Sequence, residues 1–268
     1  MRKIGLAAVL SFATLTAPVA CFAQAVAKPA THVISSIDLS KPFGTSSPWR
    51  FIASQGPDVQ DPIGARDSAP GVVFPCITPD NAKTCLPDTD SALRRKKDAD
   101  FLSEPHFLLD ARIVHASAEH ALLLLELGSF ETGDGDQLKG TQVYAYDRGR
   151  DSFALVYAHQ TGRNNNQEVR FIADGPLQGE IILVDPTRDA PFGYWVAVNS
   201  RAGGGSYREV LRYRSATTYG DGNPLAVIDA EMPNIQARLG LWKPGMPLPL
   251  PPHDCPAPHL VKSVLWCR

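Results

Sequence analysis

The stretch "TQVYAYDRGRDSFALVYA" (Thr141–Ala158) decides the fold class. Two short runs rich in β-branched and aromatic residues flank the polar segment Asp147–Asp151, which contains a glycine. Runs of this kind are typical of β-strands, and a short glycine-bearing loop typically joins antiparallel neighbours. The stretch therefore predicts a β-hairpin.

The same pattern continues on both sides of this hairpin. Further runs are "HFLLDARIVHA", "HALLLLELG", "QEVRFIA", "GEIILVD", "YWVAVNS", "YREVLRYRS" and "PLAVIDA", most of them bounded by Gly, Pro, Asn or Asp. The glycine-rich segment 202–205 predicts a second hairpin. We predict a mainly β domain over residues 106–242, built as an antiparallel sandwich or a propeller-like meander. One short helix is expected after Pro233, ending near Gly240.

The segments that flank this domain differ from it in composition. Residues 26–105 mix Pro, Ser, Asp and Gly with isolated apolar runs, which predicts a loop-rich N-terminal part packed on the main domain. One strand is expected there, beside Trp49. Residues 243–268 begin with seven prolines between Lys243 and Pro258, which predicts an extended, polyproline-like tail.

Residues 1–25 have the pattern of a secretory signal peptide. Two basic residues precede an apolar run to about Ala20, and the small residues of Ala23-Gln24-Ala25 follow. Lipidation at Cys21 is the alternative, although Pro18 stands where a lipobox usually has leucine. No later run reaches eighteen apolar residues, so no transmembrane segment is expected. The sequence thus predicts a periplasmic or secreted protein.

The cysteines predict disulfide bonds. Without Cys21 the chain has four cysteines, an even number that is typical of disulfides in an exported protein. Four cysteines allow three connectivities. The short intervals favour Cys76–Cys85 and Cys255–Cys267.

Charge excludes two classes of partner. The chain has 26 Lys and Arg against 28 Asp and Glu, a net charge of −2. Neither a nucleic acid nor an anionic membrane surface is favoured by this balance.

Two polar turns are candidate binding loops. The run "GRNNNQEVR" presents amide and charged groups, and the run "YGDGN" places polar side chains beside glycines of a tight turn. We expect both turns to lie at one end of the sheet and to form a polar rim. The candidate binding residues are Asn164, Asn165, Asn166, Glu168, Arg170, Asp221 and Asn223.

Acidic residues suggest two further sites. Asp134, Asp136 and Asp221 belong to glycine-flanked loops with part of a calcium-ligand pattern, so a structural calcium ion is a hypothesis. Asp229 and Glu231 alternate along the expected strand "PLAVIDA", which would direct both to one face, as a glycosidase carboxylate pair requires.

These features leave three functions open. The chain has no G-x-S-x-G elbow, no H-E-x-x-H motif and no phosphate-binding glycine loop, so no catalytic residue is assigned. We expect an exported binding protein that recognises a protein or glycan of the cell envelope through polar loops, as inhibitors and immunity-type proteins do. An exported, glycosidase-like hydrolase with structural calcium is the alternative, and an envelope assembly component is the third.

Overall fold

Antiparallel β-strands dominate the structure, a computed structural model that describes residues 31–85, 89, 93, 104–132, 135–162, 167–203, 205–217, 222–250, 253 and 255–267. The strands are β1 (His32–Asp38), β2 (Arg50–Gln55), β3 (Val73–Thr78), β4 (Phe107–Ser117), β5 (His120–Glu131), β6 (Gln137–Asp147), β7 (Ser152–Thr161), β8 (Glu168–Phe171), β9 (Ile181–Pro186), β10 (Tyr194–Arg201), β11 (Tyr207–Ser215), β12 (His259–Val261) and β13 (Val264–Trp266). The helices are α1 (Ser40–Phe43) and α2 (Val227–Arg238), and a 3-10 turn spans Gly175–Leu177. The predicted mainly β, antiparallel fold is confirmed.

The strands form consecutive meanders. Strands β1–β3 make a three-stranded sheet, β4–β7 and β8–β11 make two four-stranded sheets in chain order, and β12 pairs with β13. Every pairing between these strands is antiparallel. Both predicted hairpins are present, because β6 pairs with β7 and β10 pairs with β11.

Strand β5 lies at the centre of the stack of sheets. Its leucines alternate between two cores, because successive side chains of a strand point to opposite faces. Leu123 and Leu125 pack with Phe51 of β2 in the core toward the three-stranded sheet. Leu122 and Leu124 pack with Ile181 of β9 in the core toward the sheet β8–β11. The continuous leucine run is therefore buried on both faces.

Helix α2 forms the last layer. It covers the face of β8–β11 that points away from β5, and Ile228, Met232 and Ile235 of the helix share a core with Val196 of β10. Spacings of four and three residues place these side chains on one helical face. Among the residues that the structure describes, no helix has both the length and the apolar character needed to cross a membrane.

The predicted strand "PLAVIDA" is wrong. Its second half forms the start of α2, so the helix begins at Val227 rather than after Pro233, which lies inside it. A short apolar run does not distinguish a buried strand from a buried helix by periodicity. Proline also lacks the N–H that an interior helical residue donates, which made a helix start after Pro233 the simpler expectation.

The N-terminal part contains more regular structure than expected. Strand β2 confirms the predicted strand, and β1 and β3 flank it on both sides. Trp49 is 3% exposed and Phe51 is fully buried, so this part contributes its own side chains to the main core.

One of the two predicted disulfides is formed. Cys76 and Cys85 are bonded, which links the end of β3 to the loop that follows it. Cys255 and Cys267 are buried thiols and are not bonded to each other in the structure. The structure therefore does not contain the predicted Cys255–Cys267 disulfide. Their side chains nevertheless meet through a hydrogen bond in the cluster that packs the tail on α2.

Candidate functional site

A cleft opens between the sheets β4–β7 and β8–β11, at the end of the stack where β7 ends and β10 begins. We call it the intersheet cleft and define it by His159, Gln160, Gln167, Asp185, Trp195 and Arg212, which line it. Its volume of about 830 Å³ lies in the range of sites for small ligands.

One wall of the cleft follows from the register of the sheet β8–β11. Trp195 of β10 lies opposite Asp185 of β9 on one side and Arg214 of β11 on the other. Gln167, one residue before β8, donates a hydrogen bond from its amide nitrogen to Asp185 Oδ1 at 3.1 Å. Because residues in one cross-strand row share a face, these four side chains all point away from α2, and Gln167, Asp185 and Trp195 line the cleft.

Trp195 is the only tryptophan among the residues that line the cleft. The guanidinium carbon of Arg212 lies 5.2 Å from its ring centroid, and that of Arg214 lies 6.0 Å from it. Both arginines come from β11, so cation–π contacts steady the indole from one side of the sheet. The indole is half-buried, which keeps part of its aromatic surface in contact with solvent.

The opposite wall belongs to β7. His159 faces the cleft, and its pKa is lowered because burial disfavours the charged imidazolium, although the charge of Asp185 opposes this effect. Tyr157 lies two residues earlier on the same face, with its ring centroid 6.5 Å from that of His159. Burial also raises the pKa of the Tyr157 hydroxyl. This wall therefore offers the neutral imidazole ring of His159 to the cleft.

Charges of the two signs balance in the cleft. Its lining includes Arg188 and Arg212 as well as Asp185 and Asp189. Asp189 forms an ion pair with Arg214 at 3.4 Å, just beside the cleft. The arrangement therefore presents donors and acceptors without a net charge that would select an ion.

The run Asn164–Asn166 lies outside the described residues. Its neighbours in sequence, Gly162 and Gln167, both line the intersheet cleft. Asp221 also lies outside the described residues. Gly222 beside it has a φ of 71°, a left-handed conformation that suits the predicted glycine turn.

Glu168 and Arg170 lie on the other face of β8, away from the cleft. The Arg170 Nε donates a hydrogen bond to Glu168 at 2.8 Å, and its guanidinium also pairs with Asp229 of α2. Burial raises the pKa of Glu168, although Arg170 opposes this effect. The three side chains fasten the helix to the sheet, so the structure does not bring Glu168 and Arg170 together with the cleft.

Asn223 was predicted to project from a turn into a binding rim, and this prediction is wrong. The residue is 7% exposed. Its Nδ2 donates a hydrogen bond to the Leu265 carbonyl at 3.0 Å, and its Oδ1 accepts bonds from the backbone N–H groups of Leu225 and Cys267. Its amide is therefore occupied in holding the C-terminal hairpin.

The predicted carboxylate pair is not assembled. Asp229 and Glu231 stand two positions apart on a helix, about 200° around its axis, instead of on one strand face. The Glu231 carboxylate is 1% exposed and accepts hydrogen bonds from four side chains. The donors are Tyr213, Ser215, Thr217 and Asn234. No ligand can reach this carboxylate in the folded state.

The structural calcium ion stays a prediction. Asp134 and Asp221 lie outside the described residues, and the backbone carbonyl of Asp136 accepts a hydrogen bond from the N–H of Thr132 at 2.8 Å. Within the described ranges, no group of three His, Cys, Asp or Glu side chains is arranged to hold a metal ion.

Comparisons with protein-family models, with curated proteins and with solved structures found no match to this chain.

Proposed function

We propose that this protein is an exported binding protein that holds a glycan segment in the intersheet cleft. The observation that carries the proposal is the half-exposed indole of Trp195 in a row of hydrogen-bonding side chains. A pyranose ring presents C–H groups on its face, and these groups are attracted to the electron-rich face of an aromatic ring.

The polar residues of the cleft suit the hydroxyl groups of a sugar. A hydroxyl both donates and accepts, so it can bond to the carboxylate of Asp185 and to the amide of Gln167. Balanced charges in the lining favour a neutral ligand over a charged peptide or phosphate. Because Trp195, Asp185 and His159 lie on β-strands, ordering these side chains on binding costs little free energy.

A glycan array tests this function directly. The mature protein is applied to arrayed neutral oligosaccharides, beside the variants Trp195→Ala and Trp195→Phe. We expect the wild-type protein to retain at least one glycan, the phenylalanine variant to retain it more weakly, and the alanine variant to lose it.

Trp242→Phe is the matched control. Trp242 is half-buried, as Trp195 is, and it donates its indole hydrogen bond to the Pro247 carbonyl, outside the cleft lining. This variant should bind as the wild type does. A wild-type protein that retains no glycan, or an alanine variant that retains it equally well, would contradict the proposed function.

A further inference from the structure

A second depression lies at the opposite end of the stack of sheets. We call it the hairpin-end groove and define it by Phe43, Glu119, His120, Tyr146, Arg148 and Arg201. Its volume is about 650 Å³, and it continues past His120 and Arg201 into a neighbouring space of about 390 Å³. Arg201 stands six residues after Trp195 on β10, so the two sites are roughly 20 Å apart along the strand.

Three hairpin ends meet at this groove. The β4–β5 turn contributes Glu119, the β6–β7 turn contributes Arg148, and Arg201 ends β10 before the third turn. Phe43 is buried in the core and Tyr146 is fixed through its hydroxyl, which donates a hydrogen bond to Asp151. The groove thus has a rigid aromatic wall beneath its charged residues.

Within the described ranges, neither of the two arginines of the groove forms an ion pair with a carboxylate. Among the residues that the structure describes, Arg148 forms neither an ion pair nor a hydrogen bond. The Arg201 side chain donates from Nε to the Gly205 carbonyl at 3.3 Å, and its terminal nitrogens donate to none of the described residues. By contrast, Arg112, Arg150, Arg170, Arg212 and Arg214 each pair with a carboxylate.

The carboxylates nearest in sequence to Arg148 are occupied by other donors. Asp151 accepts hydrogen bonds from Ser47, Trp49 and Tyr146, and the Ser47 and Tyr146 bonds hold its pKa below the ordinary value. Asp147 accepts the backbone N–H of Gly149 at 2.9 Å. The β6–β7 turn therefore directs Arg148 into the groove, and neither of these two carboxylates pairs with it.

We propose that the hairpin-end groove binds a small oxyanion group, a phosphate, sulfate or carboxylate, through Arg148 and Arg201. Planar guanidinium groups bind such anions in bidentate geometry, and a charge-assisted hydrogen bond is stronger than a neutral one. His120 adds a ring nitrogen, since its Nδ1 is bonded to Ser117 at 2.8 Å and its Nε2 stays open to a ligand. Glu119 opposes the anion and limits its affinity.

Thermal unfolding with added salts tests this site. The mature protein is titrated with sodium phosphate, sodium sulfate or sodium acetate, each compared with sodium chloride at the same ionic strength. A ligand that binds only the folded state raises the melting temperature in a saturable way. We expect such a rise above the chloride baseline, and the anion with the largest effect identifies the group.

Charge-neutral variants assign the effect to the groove. Arg148→Gln/Arg201→Gln is expected to weaken binding by about tenfold or more for each arginine, since a bond to a charged group contributes roughly 1.5–3 kcal/mol. Arg150→Gln is the matched control, because Arg150 is on the same turn but pairs with Asp147 at 3.7 Å. Glu119→Gln should tighten binding.

Two results would overturn the proposal. One is a wild-type protein whose melting temperature, in all three titrations, equals that in sodium chloride at the same ionic strength. The other is a folded Arg148→Gln/Arg201→Gln variant that shows the same rise in melting temperature as the wild-type protein. Because the probes are small anions and the groove is separate from Trp195, neither result bears on the proposed glycan function.

Discussion

Replacement of Glu231 by alanine should destabilise the fold more than removal of any exposed carboxylate. The wild-type side chain joins α2 to β11 by accepting bonds from Tyr213 at 2.6 Å and from the Ser215 and Thr217 hydroxyls. Asn234, one turn along the helix, donates to the same carboxylate at 2.9 Å. Alanine would leave these donors without their acceptor.

The size of the effect follows from how many donors stay unsatisfied. A buried donor without a partner costs about 1–3 kcal/mol. Ser215 and Thr217 lie 2.7 Å apart and can satisfy each other in part, and loss of the buried charge itself is favourable. We therefore expect Glu231→Ala to lower the free energy of unfolding by about 2–4 kcal/mol, or the melting temperature by roughly 4–16 °C.

Urea unfolding monitored by circular dichroism measures this loss. Glu231→Gln keeps the shape and one acceptor oxygen, so it should cost about 1–2 kcal/mol. Glu209→Ala removes an exposed partner of Arg212 and should change the free energy of unfolding by no more than about 0.5 kcal/mol. If Glu231→Ala unfolds at the same urea concentration as Glu209→Ala, the buried network contributes nothing to stability and the reasoning fails.

Three further predictions concern cysteine and histidine side chains. Cys255 and Cys267 should oxidise to a disulfide when an expression host exports the protein to its periplasm, since their side chains already meet. Alkylation under denaturing conditions with mass analysis is expected to find no free thiol, and the detection of two free thiols would refute this. In reduced protein, alkylation of native Cys255 should be slow at pH 8, because burial first and then Cys267 raise its pKa to about 11. The pKa of His159 in the folded protein lies below the ordinary 6.5, so the unfolded chain binds the proton at a higher pH than the folded protein does. The free energy of unfolding should therefore fall as the pH drops from about 6.5 through the folded pKa. In His159→Asn this part of the pH dependence should vanish from unfolding midpoints between pH 7.5 and 5; an unchanged dependence would contradict it.

The strands were predictable because their signals are local. The hairpin between β6 and β7 has apolar runs on both sides of one glycine-bearing turn, and neither feature depends on the rest of the chain. The start of α2 was not predictable in the same way. Its residues Val227 and Ile228 suit a strand as well as a helix, and packing against β10 decides between them.

The cleft was beyond what the sequence can reveal. Trp195 follows the buried Tyr194, and alternation shows only that the two face opposite sides. That the side of Trp195 also holds Asp185 and His159 depends on the register of β9 and β10 and on how two sheets pack. Polar runs such as "GRNNNQEVR" mark turns but do not show which neighbouring side chains share a face.

The indole N–H signal of Trp195 in a nitrogen–proton NMR spectrum gives the most direct test of the glycan-binding cleft. The chain has four tryptophans, and the Trp195→Phe spectrum assigns the signal by its absence. On titration with the oligosaccharide that the array retains, we predict that this signal shifts saturably while that of Trp242 stays in place. A saturable shift at Trp242 with no change at Trp195 would place the glycan elsewhere and contradict the account.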